Sequence, residues 1–80
     1  YPNPFNPKTT IEYSVGIPGV VEISIYDING KIVEQLINDY KTKGQYSIVW
    51  NASNFSSGIY FVQLMYNNQN ISSLKVVLVK

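Results

Sequence analysis

Apolar and polar residues alternate with a period of two along most of this 80-residue sequence. The alternation is clearest in residues 10–15, 20–26 and 45–50, and no segment keeps a 3.6-residue period over three turns. Because successive side chains of a strand point to opposite faces, the pattern predicts strands rather than amphipathic helices. Six to seven strands, spaced by roughly 8–12 residues, predict an all-β antiparallel sandwich.

Turn signals separate the predicted strands. The Asn29-Gly30 pair precedes a predicted strand at residues 31–37, and both residues tolerate the positive φ that a tight hairpin requires. Residues 38–44 are polar and are predicted to be a loop. Two later strands are predicted at Gly58–Tyr66 and at residues 71–80.

The last predicted strand is apolar at four consecutive positions, residues 76–79. A strand that is apolar on both faces is typical of a central strand, and this interpretation is favoured. The alternative is an edge strand that pairs with a partner and is covered by it. Lys75 and Lys80 flank the run as charged residues that oppose aggregation.

The first seven residues, YPNPFNP, contain three prolines. Each proline restricts its own φ and pushes the preceding residue toward extended conformations. Residues 1–9 are therefore predicted to be a stiff, proline-rich lead-in with one large apolar anchor, Phe5.

Composition excludes several classes of function. The chain has no histidine and no cysteine, so a histidine-activated nucleophile cannot exist, and no enzyme activity, metal site or cofactor is predicted. The six basic residues are scattered lysines and arginine is absent, which argues against nucleic acid as a partner. No apolar run approaches the ~20 residues of a membrane-spanning helix. A calcium loop at Asp27 lacks further acidic ligands, so Asp27 is predicted to accept backbone donors in its own turn.

Aromatic residues open one alternative function. The chain has seven tyrosines and a single tryptophan, Trp50, which is expected to fill the space between the sheets. Tyr26, Tyr60 and Tyr66 are candidates for an outward row that could stack on sugar rings. Cross-strand aromatic pairing within the sheet is the favoured interpretation. A structural Ig-like spacer that assembles through its last strand is a further alternative.

Five motifs occur in the order found in one known family. The chain resembles the C-terminal sorting domains of proteins exported by the type IX secretion system (Por system) of Bacteroidetes and related bacteria. It is also similar to the Ig-like domain of the flagellar-hook capping protein. The motifs are the YPNPFNP start with Thr10-Ile11-x-Tyr13, the hairpin from Val21 to Val33, the strand with Gly44, Tyr46 and Trp50, the SGIYFVQL motif from Ser57 to Leu64 and the terminal Lys75-x-Val77-x-Val79-Lys80.

The resemblance implies a single Ig-like sorting domain over residues 1–80, attached through its lead-in to an upstream cargo domain. Such a domain directs its cargo through the outer-membrane translocon to the cell surface or the medium, by way of the periplasm. It also implies a sortase-like peptidase that cuts upstream. The residues expected to be recognised by the translocon are Gly58, Tyr60, Lys75, Val77, Val79 and Lys80. The residues expected to form the lead-in junction are Pro2, Asn3, Pro4 and Phe5.

Overall fold

Six antiparallel strands make up the regular structure of residues 8–79. The computed structural model describes residues 8–79, so residues 1–7 of the lead-in predicted at residues 1–9 lie outside that range. The all-β prediction is confirmed. The strands are β1 (Lys8–Val15), β2 (Gly19–Asp27), β3 (Ile32–Lys41), β4 (Gly44–Asn51), β5 (Gly58–Tyr66) and β6 (Gln69–Leu78).

The strands form two sheets that pack as a sandwich. One sheet has four strands in the order β3-β2-β5-β6, and the other has two, β1 and β4. The register follows the predicted alternation, since Ile25 pairs with Val62 and both side chains point into the core. This arrangement is consistent with the predicted Ig-like sandwich.

Trp50 lies at the centre of the core, as predicted, and its side chain is fully buried. Its ring packs edge-on against Tyr60 at a centroid distance of 5.5 Å and tilts against Phe55 at 5.7 Å. The indole Nε1 donates a hydrogen bond to Glu34 Oε1 at 3.2 Å, which satisfies the one polar atom of the ring. The remaining buried apolar residues around it are Tyr13, Val15, Val21, Ile23, Ile25, Ala52, Tyr60, Val62 and Leu78.

Hydrogen bonds and positive φ angles within the turns stabilise the hairpins. Asp27 Oδ1 accepts the backbone N–H groups of Asn29 at 2.9 Å and Lys31 at 3.0 Å, which confirms the predicted role of Asp27. Gly30 has a φ of 79°, a conformation that glycine adopts at little cost. The turn between β5 and β6 has only two residues, Asn67 and Asn68, both with positive φ, so β6 begins at Gln69 rather than at residue 71.

Two other predicted boundaries are wrong. β1 begins at Lys8, so residues 8 and 9 belong to the strand rather than to the lead-in. Residues 38–41 belong to β3 rather than to a loop, because Gly19 pairs with Lys41 and extends the β2–β3 ladder past the polar side chains. Polarity alone does not end a strand whose outer face is solvated.

The favoured central position of the last strand is also wrong. β6 lies at the edge of the four-stranded sheet and, among the described residues, pairs only with β5. Leu78 is buried, whereas Val77 and Val79 are exposed. The apolar run therefore has one face toward the core and one toward solvent.

Replacing Trp50 tests the role of this residue in the core. Trp50→Ala is expected to cost about 3–5 kcal/mol of unfolding free energy. A core of this size supplies roughly 3–5 kcal/mol in total, so the variant should be largely unfolded at 25 °C. Val49→Thr, on the opposite face of the same strand, should stay within ~0.5 kcal/mol of the parent. Urea unfolding followed by circular dichroism measures both, and a Trp50→Ala midpoint equal to that of Val49→Thr would contradict the assignment.

The buried Tyr13 predicts how the unfolding free energy depends on pH. Burial raises the pKa of the Tyr13 phenol, and nearby Tyr46 and Asp39 raise that pKa further. The folded state therefore favours the neutral phenol, which adds to the unfolding free energy. This added stability is fully present below the pKa of the unfolded state, about 10, and is lost as the pH rises through the higher pKa of the folded state. We expect the unfolding free energy to fall more steeply between about pH 9.5 and 11 in the parent than in Tyr13→Phe. Equal slopes in urea titrations over that range would contradict the expectation.

Candidate recognition surface

The four-stranded sheet has an outward face, turned away from β1 and β4. Tyr60 and Val62 of β5 point into the core, so Ile59 and Phe61, which alternate with them, point outward. Phe61 pairs with Tyr26 on β2, which places these two side chains side by side on the outward face.

The same face continues onto β6. Lys75 pairs with Phe61, and Val77 pairs with Ile59, so the side chains of each pair are direct neighbours. Val77 is 60% exposed, Ile59 40% and Phe61 36%. We name this set the outer patch, and its residues are Tyr26, Ile59, Phe61, Lys75 and Val77.

Three of the predicted recognition residues come together at this end of β6. Lys75 and Val77 belong to the outer patch, and Val79, the residue after the end of β6, is also exposed and apolar. Gly58 is exposed at the start of β5, where it pairs with Leu78. Gly58 and the three β6-side residues therefore lie within one corner of the sheet.

Tyr60, another of the predicted recognition residues, lies in the core rather than on the surface. Its side chain is only 7% exposed, and its hydroxyl donates a hydrogen bond to the Ser56 carbonyl at 2.7 Å. The ring contacts Trp50 and Phe55 inside the sandwich. Tyr60 thus holds the residues before β5 against the core, and a part for it in recognition stays a prediction.

The other predicted site residues lie outside the described range. These are Lys80 at the terminal motif and the four lead-in residues, Pro2, Asn3, Pro4 and Phe5. Their roles stay predictions.

The sequence pattern did not identify Ile59 and Phe61 as surface residues. It indicated Tyr26 only as one member of a row of exposed tyrosines. β5 is apolar in both phases of its alternation, so the pattern could not say which phase faces inward. Which of the two sets of alternating residues faces inward depends on which face of the larger sheet the β1–β4 sheet covers. The local sequence of β5 does not encode this packing.

The proposed outward row of tyrosines is not formed. Tyr26 lies on the outward face, whereas Tyr60 and Tyr66 belong to the inward phase of β5. Aromatic pairing across strands, the favoured interpretation, is confirmed at Tyr13 and Tyr46, which are register partners with rings stacked at 5.4 Å.

Glu12 and Glu22 lie in different sheets. Glu12 is exposed on β1, and Glu22, on β2 of the other sheet, accepts a hydrogen bond from Gln35 Nε2 at 3.4 Å. Among residues 8–79, no three His, Cys, Asp or Glu side chains lie close enough to hold a metal ion. The outer patch offers apolar contact, one positive charge and a neighbouring strand edge, which suit binding.

Residues 8–79 contain no helix that is long and apolar enough to cross a membrane.

Comparison with known protein families gives a match along the chain. The family model described as the secretion system C-terminal sorting domain matches residues 1–80. No curated protein and no solved structure is significantly similar to the chain. The predicted likeness to the hook-capping domain therefore stays a prediction.

Proposed function

The chain belongs to the family of secretion-system C-terminal sorting domains, and we propose that its outer patch is the surface that the secretion machinery recognises. A domain of this family is the C-terminal sorting signal for type IX secretion, is attached to a cargo protein and is not a catalytic domain. The cargo is a secreted or cell-surface protein.

Exposure of the outer patch supports this assignment. Ile59, Phe61 and Val77 are large apolar side chains that the fold holds side by side on the sheet without covering them. Contiguous exposed apolar side chains on a small domain are characteristic of binding surfaces. Lys75 within the patch adds a charge that orients a partner and disfavours aggregation.

The free edge of β6 supports the same location. β6 has ten residues and, in the described part of the chain, pairs along one side only. Its other side presents backbone donors and acceptors to which an extended segment of a partner can add as a further strand. A partner strand paired with β6 would lie directly beside Lys75 and Val77, so the edge and the outer patch can act as one site.

In this proposal the domain folds before the translocon binds it. The domain folds without disulfides, since the chain has no cysteine, so its fold does not depend on the redox state of the compartment. We infer that the domain folds in the periplasm and is recognised there by the outer-membrane translocon. A sortase-like peptidase that cleaves upstream of the domain is the other partner that we infer.

An export assay tests the outer patch. A secreted fluorescent reporter carries residues 1–80 in a type IX-competent host and in a translocon-deficient strain. Phe61→Thr with Val77→Thr keeps β-forming residues but removes two large exposed apolar side chains of the patch. We expect export to fall about tenfold, the equivalent of ~1.4 kcal/mol of binding. The expected site of retention is the periplasm.

A matched variant controls for general loss of apolar surface. Tyr40→Thr with Val49→Thr removes one aromatic and one valine that are exposed elsewhere, on β3 and β4. Its export should stay within about twofold of the parent, as expected for surface changes outside an interface. Parent-level export of the Phe61 and Val77 variant, with the domain folded, would refute the proposal. Deleting the whole of β6 is a weaker test, because it removes the strand that pairs along all of β5.

A further inference from the structure

A β-bulge divides β6 into two parts. The partners of Met65 and Leu64 on β6 are Asn70 and Ser72, so β6 has one extra residue at this point. From Ser72 to the end of β6 the register is continuous over seven pairs. Because a bulge disrupts the regular spacing of backbone donors and acceptors, the part of the strand edge that suits pairing begins at Ser72. We name residues 72–78 the regular edge.

Lys75 lies at the middle of the regular edge. Three residues of this segment precede it and three follow it. Its side chain belongs to the outward face and is exposed. It is also the one charged residue of β6. A strand that adds along the regular edge therefore meets a single positive charge at its centre.

The sheet provides no carboxylate beside this charge. Neither β5 nor β6 contains an aspartate or a glutamate. Glu22, on the outward face of β2, lies opposite Met65 and accepts a hydrogen bond from Gln35. The neighbours of Lys75 on the outward face are uncharged, and they are Phe61 directly opposite, Ile59 and Gln63 diagonally, and Ser73 and Val77 along β6. Among the described strands, the charge is thus left for a side chain beyond the free edge.

A second copy of the chain fits this edge poorly. Antiparallel pairing of two β6 strands along the whole regular edge places Lys75 opposite the same lysine of the other copy. Like charges directly opposite one another destabilise a sheet. A register shifted by two residues separates the charges but leaves only residues 72–76 or 74–78 paired. The position of Lys75 therefore favours a different chain as the occupant.

We propose that the partner strand at the regular edge carries an aspartate or a glutamate directly opposite Lys75. This inference rests on the proposed function, in which the secretion machinery supplies that strand. Opposite charges on directly paired residues stabilise a sheet. They also fix the register of the added strand, because a slip of two residues separates the charges.

The residues around Lys75 determine which side chains flank the acidic one. Leu74 and Val76 belong to the inward phase, because their partners on β5 are buried, and Leu74 is 58% exposed. A strand beside them removes the most apolar surface from water when the residues on both sides of its carboxylate are apolar. Val77 is exposed on the outward face, so the residue opposite it is apolar as well. The partner segment thus has one acidic residue within an apolar, extended run.

Tethered probe strands test the charge. Residues 1–80 are followed by a flexible glycine-serine linker and the segment TVVXVTT, in which X is glutamate, glutamine or lysine. The linker holds the probe at about millimolar effective concentration, so weak pairing is measurable as stabilisation in urea unfolding. We expect the glutamate probe to lower the unfolding equilibrium constant about fivefold more than the lysine probe, with the glutamine probe between them.

Reversing the charge of the lysine gives the matched comparison. In Lys75→Glu the lysine probe should stabilise the fold more than the glutamate probe. Lys43→Glu, at an exposed position between β3 and β4, changes the net charge equally and should keep the preference for glutamate. Equal stabilisation of the parent by the glutamate and lysine probes, or no stabilisation by any probe, would overturn the proposal. A dimer of the untethered chain that the glutamate probe abolishes would assign the edge to a second copy and overturn it too.

The export assay separates this inference from the proposed function. Lys75→Glu should reduce export about fivefold, whereas Lys43→Glu should stay within about twofold of the parent. Parent-level export of Lys75→Glu, with reduced export of Phe61→Thr with Val77→Thr, would refute the acidic partner strand and leave the outer patch as the recognised surface. Parent-level export of the Phe61 and Val77 variant would refute the proposed function itself, and with it the identity of the partner.

Discussion

The burial of Trp50 between the two sheets is the interaction on which the rest of this structure depends. A two-stranded sheet can hold a four-stranded one in place only where its side chains reach across, and Trp50 supplies the largest fully buried side chain. Its bond to Glu34 and its contact with Tyr60 tie β4 to strands on both sides of β2. The position of β4, and through pairing that of β1, follows from this side chain.

Two strands placed in this way leave parts of the larger sheet uncovered. β6 is farthest from β3, over which β4 is anchored, and within residues 8–79 no strand covers Leu74 on its inner side, which is exposed. Its outer side carries Val77 next to Ile59 on β5. The same edge strand thus has apolar surface on both faces, which explains why its sequence is typical of a central strand.

Much of this fold could be predicted from the sequence, because alternation and turn residues are local signals. The bounds of β5 agree with the prediction, and Asp27 and Trp50 have their predicted roles. The sequence could not place Tyr60 or Phe61, because both phases of β5 are apolar and only tertiary packing selects the inward one. Nor could it show that β6 is an edge strand, since strand order is a property of non-local pairing.

A recognition surface built in this way exists only in the folded domain. Ile59 and Val77 are 18 residues apart in sequence and become neighbours through the register of β5 and β6. An unfolded chain would present the same residues without their arrangement. A partner that binds the outer patch therefore distinguishes folded domains from unfolded ones. A core of this size supplies only roughly 3–5 kcal/mol of net stability. Each contact that stabilises the sandwich therefore also raises the fraction of chains that are folded and present the recognition surface. Stability and recognition are therefore coupled through β6, the strand that borders both the core and the proposed binding surface.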